Sequence, residues 1–104
     1  MLINGEAWQI EFVPPDHYML YTSAGNYTLG VCDDRLKTIY VNNKLSRQKL
    51  RKVLCHEITH AAMFSYNVEM SLAQEELVAD LIATFGREIV CQTNRVLRDL
   101  IIVE

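Results

Sequence analysis

The segment His56-Glu57-Ile58-Thr59-His60 constrains this chain more than any other feature. Two histidines four residues apart share a face when the backbone between them is helical, because one turn stacks their side chains. The same segment carries Leu50, Val53, Leu54, Ile58, Ala61 and Phe64 at helical spacing, so the helix is expected to pack into a core. Imidazoles on a core helix need polar partners, and a metal ion supplies one directly. Neutral imidazole binds zinc at ~2.0–2.1 Å. Glu57, rotated toward the open side of such a site, is placed to take a proton from water there.

The rest of the chain arranges itself around this helix. Ser46 is a good N-cap, and the helical pattern runs to about Tyr66. After a break at Asn67-Val68-Glu69-Met70, Ser71 caps a second pattern from Leu72 to about Leu100. It carries Leu77, Leu81, Phe85, Ile89, Val96 and Leu100, with Gly86 marking a bend or a close helix contact. The first half reads as strands. Residues 7–13 alternate and stop at Pro14-Pro15, and residues 16–26 read as a loop. Residues 27–32 and 37–42 flank Asp33-Asp34-Arg35-Leu36 as a β-hairpin. Strands followed by helices imply an α+β fold. One domain over residues 1–104 is expected, with a small antiparallel or mixed sheet on two main helices and the metal between the helices.

A catalytic zinc needs a third protein ligand and an open position. The second helix offers Glu75, Glu76 and Asp80. Glu76 and Asp80 are one turn apart, so Glu76 can bind the metal while Asp80 accepts a hydrogen bond from a ligand histidine. Leu77, Leu81 and Thr84 flank this face, which is expected to point the pair inward, while Glu75 is expected at the surface.

HExxH followed by Glu76-Leu77-Val78-Ala79-Asp80 is similar to the ExxxD element of gluzincins, zinc peptidases whose third ligand is glutamate. More closely, residues 54–61 (LCHEITHA) with Glu76, Ala79, Asp80, Ala83 and Phe85 resemble the ImmA/IrrE family of small metallopeptidases of bacteria, phages and mobile elements. The resemblance implies a minimal zincin-like domain with His56, His60 and Glu76 as zinc ligands, Glu57 as general base and Asp80 as support for a ligand histidine. It also implies that the strand at 27–32, through Leu29, Gly30 and Val31, holds an extended peptide by main-chain pairing. A protein or peptide substrate follows, regulatory proteins included. Met63-Phe64-Ser65 stands where the family usually has a histidine, and no companion DNA-binding domain is evident.

Charge and composition narrow the alternatives. A net charge of −3 gives no electrostatic case for nucleic acid or an anionic membrane. The one basic cluster, Arg47, Lys49, Arg51 and Lys52, reads as a solvated helix face. No signal peptide or spanning segment is visible, and Cys32, Cys55 and Cys91 read as reduced packing thiols, so a cytoplasmic location is expected. Cys55 points about 100° off the metal face, and Trp8 reads as a core or edge anchor. His17, Tyr18, Tyr21, Tyr40 and Tyr66 are the candidate donors to an oxyanion. The leading function is zinc-dependent peptide hydrolysis. The alternatives are a zinc-bearing interaction module without activity, which a fourth protein ligand would favour, and a metal hydrolase acting on another substrate.

Overall fold

Asn4 and Gly5, both at positive φ (49° and 76°), turn the chain back on itself at once. This pair suits the two-residue turn that matches strand twist. The turn joins β1 (Leu2–Ile3) to β2 (Glu6–Ala7), with Ile3 opposite Glu6. The computed structural model describes residues 1–103, and side chains to residue 100.

Three further strands form a mixed sheet: β3 (Gln9–Val13), β4 (Gly30–Asp33) and β5 (Thr38–Asn42), in the order β3-β5-β4. β3 runs parallel to β5, and β4 runs antiparallel to it. Pro14 ends β3 as expected, since it cannot donate to the ladder. The strand expected at 7–13 is shorter because Ala7 belongs to the hairpin and Trp8 is the buried joint between the two. Between β3 and β4 the chain makes a 3-10 turn at Tyr18–Leu20, whose Leu20 is fully buried, so the loop expected at 16–26 is partly ordered into the core.

β5 is buried along its whole length, and its side chains alternate between two apolar clusters. Ile39 and Val41 join Trp8 and Ala61 against α1 (Arg47–Ser65), while Tyr40 joins Val13 and Leu20 on the opposite face. Ser46 caps α1 by accepting from the Lys49 N–H at 3.2 Å. The far end of α1 is tied to the N-terminal hairpin. The Trp8 indole donates to Ser65 Oγ at 2.7 Å, and Asn4 Nδ2 donates to the Ser65 carbonyl at 2.9 Å.

α1 stops in a Schellman arrangement. Asn67 takes a left-handed φ of 54°, the Val68 N–H donates to the Met63 carbonyl at 2.9 Å, and the Asn67 N–H donates to Phe64 at 3.2 Å. Three residues later Ser71 and Gln74 exchange hydrogen bonds, backbone to side chain in both directions, and open α2 (Leu72–Val103). The two caps set the direction in which α2 returns along α1.

The buried face of α2 differs from the expected stripe. Leu77 is 70% exposed, and Leu81, Phe85, Ile89, Val96 and Leu100 are all exposed as well. The face turned inward carries Glu75, Val78, Ala79 and Ala83, because small residues let α2 approach α1 closely. Gly86 faces only Ile82 of its own helix, so it marks no contact between helices among the described residues. No helix among them is long and apolar enough to cross a membrane.

Candidate metal centre

Four residues of α1 on one helical face, Val53, His56, Glu57 and His60, look across a groove of about 560 Å³ toward β4. Each imidazole meets a supporting carboxylate at Nδ1 and turns Nε2 toward Glu76 and the other ring. His56 Nδ1 lies 3.0 Å from Asp80 Oδ1, and His60 Nδ1 donates to Glu75 Oε1 at 2.7 Å. With a metal ion at the shared point, each ring would keep its proton on Nδ1 for its supporting carboxylate and offer the Nε2 lone pair.

Those two Nε2 atoms are 3.1 Å apart. The Glu76 carboxylate completes the group, with Oε1 at 2.9 Å from His60 Nε2 and Oε2 at 3.3 Å from His56 Nε2. One donor atom from each of His56, His60 and Glu76 lies within 4.8 Å of the other two. Ligands ~2.0–2.1 Å from a tetrahedral ion stand roughly 3.3 Å apart, so this donor set fits a divalent metal. The expected convergence of two histidines from one helix and a glutamate from the next is therefore present.

Glu57 is buried, though its neighbours on the helix are the ligand pair. Burial pushes its carboxyl above the usual carboxylate range; Glu76 adds to this, while His56 and His60 pull the other way. A carboxyl held this way binds a proton more readily than an exposed one, as a general base should.

The expected placement of the two flanking acids differs from the one observed. Asp80 meets His56 as anticipated, but from an exposed position, its side chain 68% accessible. Glu75, expected at the surface, is the more buried of the two at 18% and supports His60. Leu77 and Leu81 do not direct this face inward, since both are exposed. The hydrogen-bonding demand of His60 orients Glu75, a signal that apolar periodicity does not carry.

β4 forms the opposite wall. The Asn42 N–H donates to the Leu29 carbonyl at 3.0 Å, which makes 29 and 42 a hydrogen-bonded pair. Antiparallel alternation then directs the main-chain groups of Val31 and Asp33 to β5, and those of Gly30 and Cys32 outward. Among the described residues no strand covers that outer edge. Leu29, Gly30 and Val31 all line the groove, with the free hydrogen bonds at Gly30 and Cys32. A Cβ on Gly30 would sit 2.7 Å from Val53 Cγ1 and 3.1 Å from Glu57 Cγ, so only glycine lets β4 pass this close to the metal helix.

None of the anticipated oxyanion donors, His17, Tyr18, Tyr21, Tyr40 and Tyr66, lines the groove. His17 caps the 3-10 turn, accepting from the Met19 N–H at 3.1 Å. Cys55 faces α2, where its thiol donates to the Ile82 carbonyl at 3.8 Å, and is not among the metal donors. Cys91, expected to pack, is exposed.

The family model described as Peptidase_M78, the IrrE N-terminal-like domain, matches residues 16–95. The chain belongs to this family. The match spans the groove, the HExxH helix and most of α2, leaving the N-terminal hairpin outside it. No curated protein and no solved structure matches the chain. Membership in the IrrE N-terminal-like family makes this a metallopeptidase-like domain, and the three-residue donor group is where its metal ion is to be sought.

Proposed function

We propose that this IrrE N-terminal-like domain is a zinc-dependent peptidase that cleaves an extended polypeptide laid against β4. One observation carries the reading: the Nε2 atoms of His56 and His60 and the carboxylate of Glu76 converge beside buried Glu57 and an unpaired strand edge. Two imidazoles and one carboxylate are a donor set suited to zinc, and only three donors converge among the described residues, which leaves a position for water or substrate. When bound, zinc acts as a Lewis acid and lowers the pKa of water at the site.

The chain's own groups do the rest. The outward main-chain groups of Gly30 and Cys32 pair with the substrate backbone and hold the scissile bond over the donor group. Glu57 takes the proton from the attacking water and passes it to the leaving amine. Asp80 and Glu75 keep both histidines in the tautomer that offers Nε2.

A second reading, a zinc-bearing interaction module, draws support from the missing oxyanion donors, since none of the five aromatic candidates reaches the groove. One experiment separates the two. Purified protein is assayed for metal and for digestion of a peptide mixture by mass spectrometry, beside Glu57→Gln. The peptidase reading expects one zinc in both proteins and cleavage only in the wild type. Zinc in both with cleavage in neither leaves the interaction module, and equal cleavage by both removes Glu57 from the mechanism.

A further inference from the structure

The basic cluster of α1 is exposed as expected but divides between two faces of the helix. Arg47 and Arg51 border a second groove formed by α1 and Ile82 of α2, whereas Lys49 and Lys52 line the metal groove itself. Positions 49, 52, 56 and 60 follow the spacing that stacks side chains along one helical face, so the two ammonium groups and the two ligand imidazoles form a single row. Among the described residues neither lysine has a carboxylate within ion-pair distance, although Lys37, just before β5, pairs with both Glu6 and Asp34.

One of them works against the helix. Lys49 stands in the first turn of α1, which contains no acidic residue, and a cation there opposes the positive end of the helix dipole. An anion bound along this wall relieves that conflict. The opposite end of the groove has the reverse character, with Glu75, Glu76, Leu72 and Phe64. A substrate lying along the groove therefore meets a cationic end and an apolar, acidic end.

We propose that Lys49 and Lys52 form an anion subsite that selects polypeptides carrying Asp or Glu near the bond positioned at the metal. This rests on the reading of the groove as a peptide site. Along α1 the rise of ~1.5 Å per residue puts Lys52 roughly 6 Å and Lys49 roughly 10 Å from His56. An extended peptide advances ~3.3 Å per residue, so the preferred acid lies about two or three residues from the scissile position, on one side of it only.

The test uses the zinc-loaded Glu57→Gln protein and fluorescein-labelled peptides with one apolar centre, flanked on either side by Asp, Asn or Lys. Fluorescence anisotropy should show the Asp peptide binding roughly three- to tenfold tighter than the Asn peptide when the acid is on one side, the Lys peptide weakest, and the difference shrinking with added salt. Adding Lys49→Glu and Lys52→Glu should reverse the order, with zinc content and circular dichroism unchanged. Equal affinity for Asp and Asn peptides, or an order that survives the charge reversal, overturns the subsite. The two readings fail separately. A wild type that cleaves peptides with no acidic preference keeps the peptidase and loses the subsite. Charge-selective binding without cleavage does the opposite, and no peptide binding at all removes both.

Discussion

Glu75 and Asp80 each hold one imidazole, and the more buried of them was the less visible in the sequence. HExxH is legible because its spacing alone forces two ring systems together, and Glu76 is legible because it stands one turn before Asp80 on a helix that must return to the motif. Apolar spacing points Leu77 and Leu81 inward and leaves Glu75 to solvent, whereas both leucines are exposed. A hydrogen bond from His60 at 2.7 Å decides where Glu75 lies, and hydropathy has no access to that. Glu75→Ala should weaken zinc retention by roughly 10–100-fold in competition with a chromophoric chelator, while Leu77→Ala leaves it unchanged. Equal retention by the two variants would remove Glu75 from the centre. The cysteines give a second test at this scale. Burial, followed by the negative charge of Glu57 and nearby acids, pushes the Cys32 thiol up to about 12 from 9.0, so its thiolate is scarce at neutral and mildly alkaline pH. Alkylation at pH 8 should label exposed Cys91 first and spare Cys32 until the protein unfolds. Because the folded state keeps this proton to higher pH than the unfolded chain does, Cys32 leaves stability untouched below about pH 9 and erodes it as pH rises toward 12.

At the scale of elements, the strands and helices were read from residues that admit few conformations. Pro14 closes β3, Ser46 and Ser71 open the helices, and alternation marks β5. The N-terminal hairpin leaves no hydropathy pattern although Asn4-Gly5 is a strong turn signal, because the two strands it joins have only two residues each. β4 starts three residues later than the sequence pattern predicts, since residues 27–29 are as suited to a strand as those that follow. What sequence could not show is that Gly30 lies where β4 crosses α1. Gly30→Val should displace the strand edge or Glu57, because even the first carbon of its side chain would stand 2.7 Å from Val53 Cγ1. Peptide cleavage should fall by at least an order of magnitude while zinc content is retained; a fully active Gly30→Val would mean that β4 is not the substrate wall. The capping exchange at Ser71 has a plainer consequence. Ser71→Ala leaves the Gln74 N–H without its side-chain acceptor and should cost about 1 kcal/mol in denaturant unfolding.

The whole molecule is longer than its core requires. Its largest extent is 56 Å, against 31 and 26 Å in the other directions, and α2 accounts for the difference. The sequence pattern predicts a helix running to about residue 100, with its apolar stripe as a packing surface. The helix is present, but every residue from 87 to 100 is exposed. Periodicity reports that a helix has an apolar side; it says nothing about whether a second layer exists to cover it. This division predicts two levels of stability within one helix. Residues 72–85 are held by the packing against α1 and by the hydrogen bonds of Glu75 and Asp80 to the histidines, so opening them requires the metal centre to come apart. Residues 87–100 show, among the described residues, only their own helical hydrogen bonds and short-range side-chain contacts, and a segment of that length is marginal alone in water. Native-state hydrogen exchange should therefore show amide protection near the global level up to about residue 85 and a fall of several orders of magnitude over the following two turns. Zinc should raise the protection of the first part and leave the second unchanged, because only the first part contains a ligand. Uniform protection along all of α2 in dilute solution would contradict this account, and protection of the second part that grows with protein concentration would show that another copy of the chain covers it.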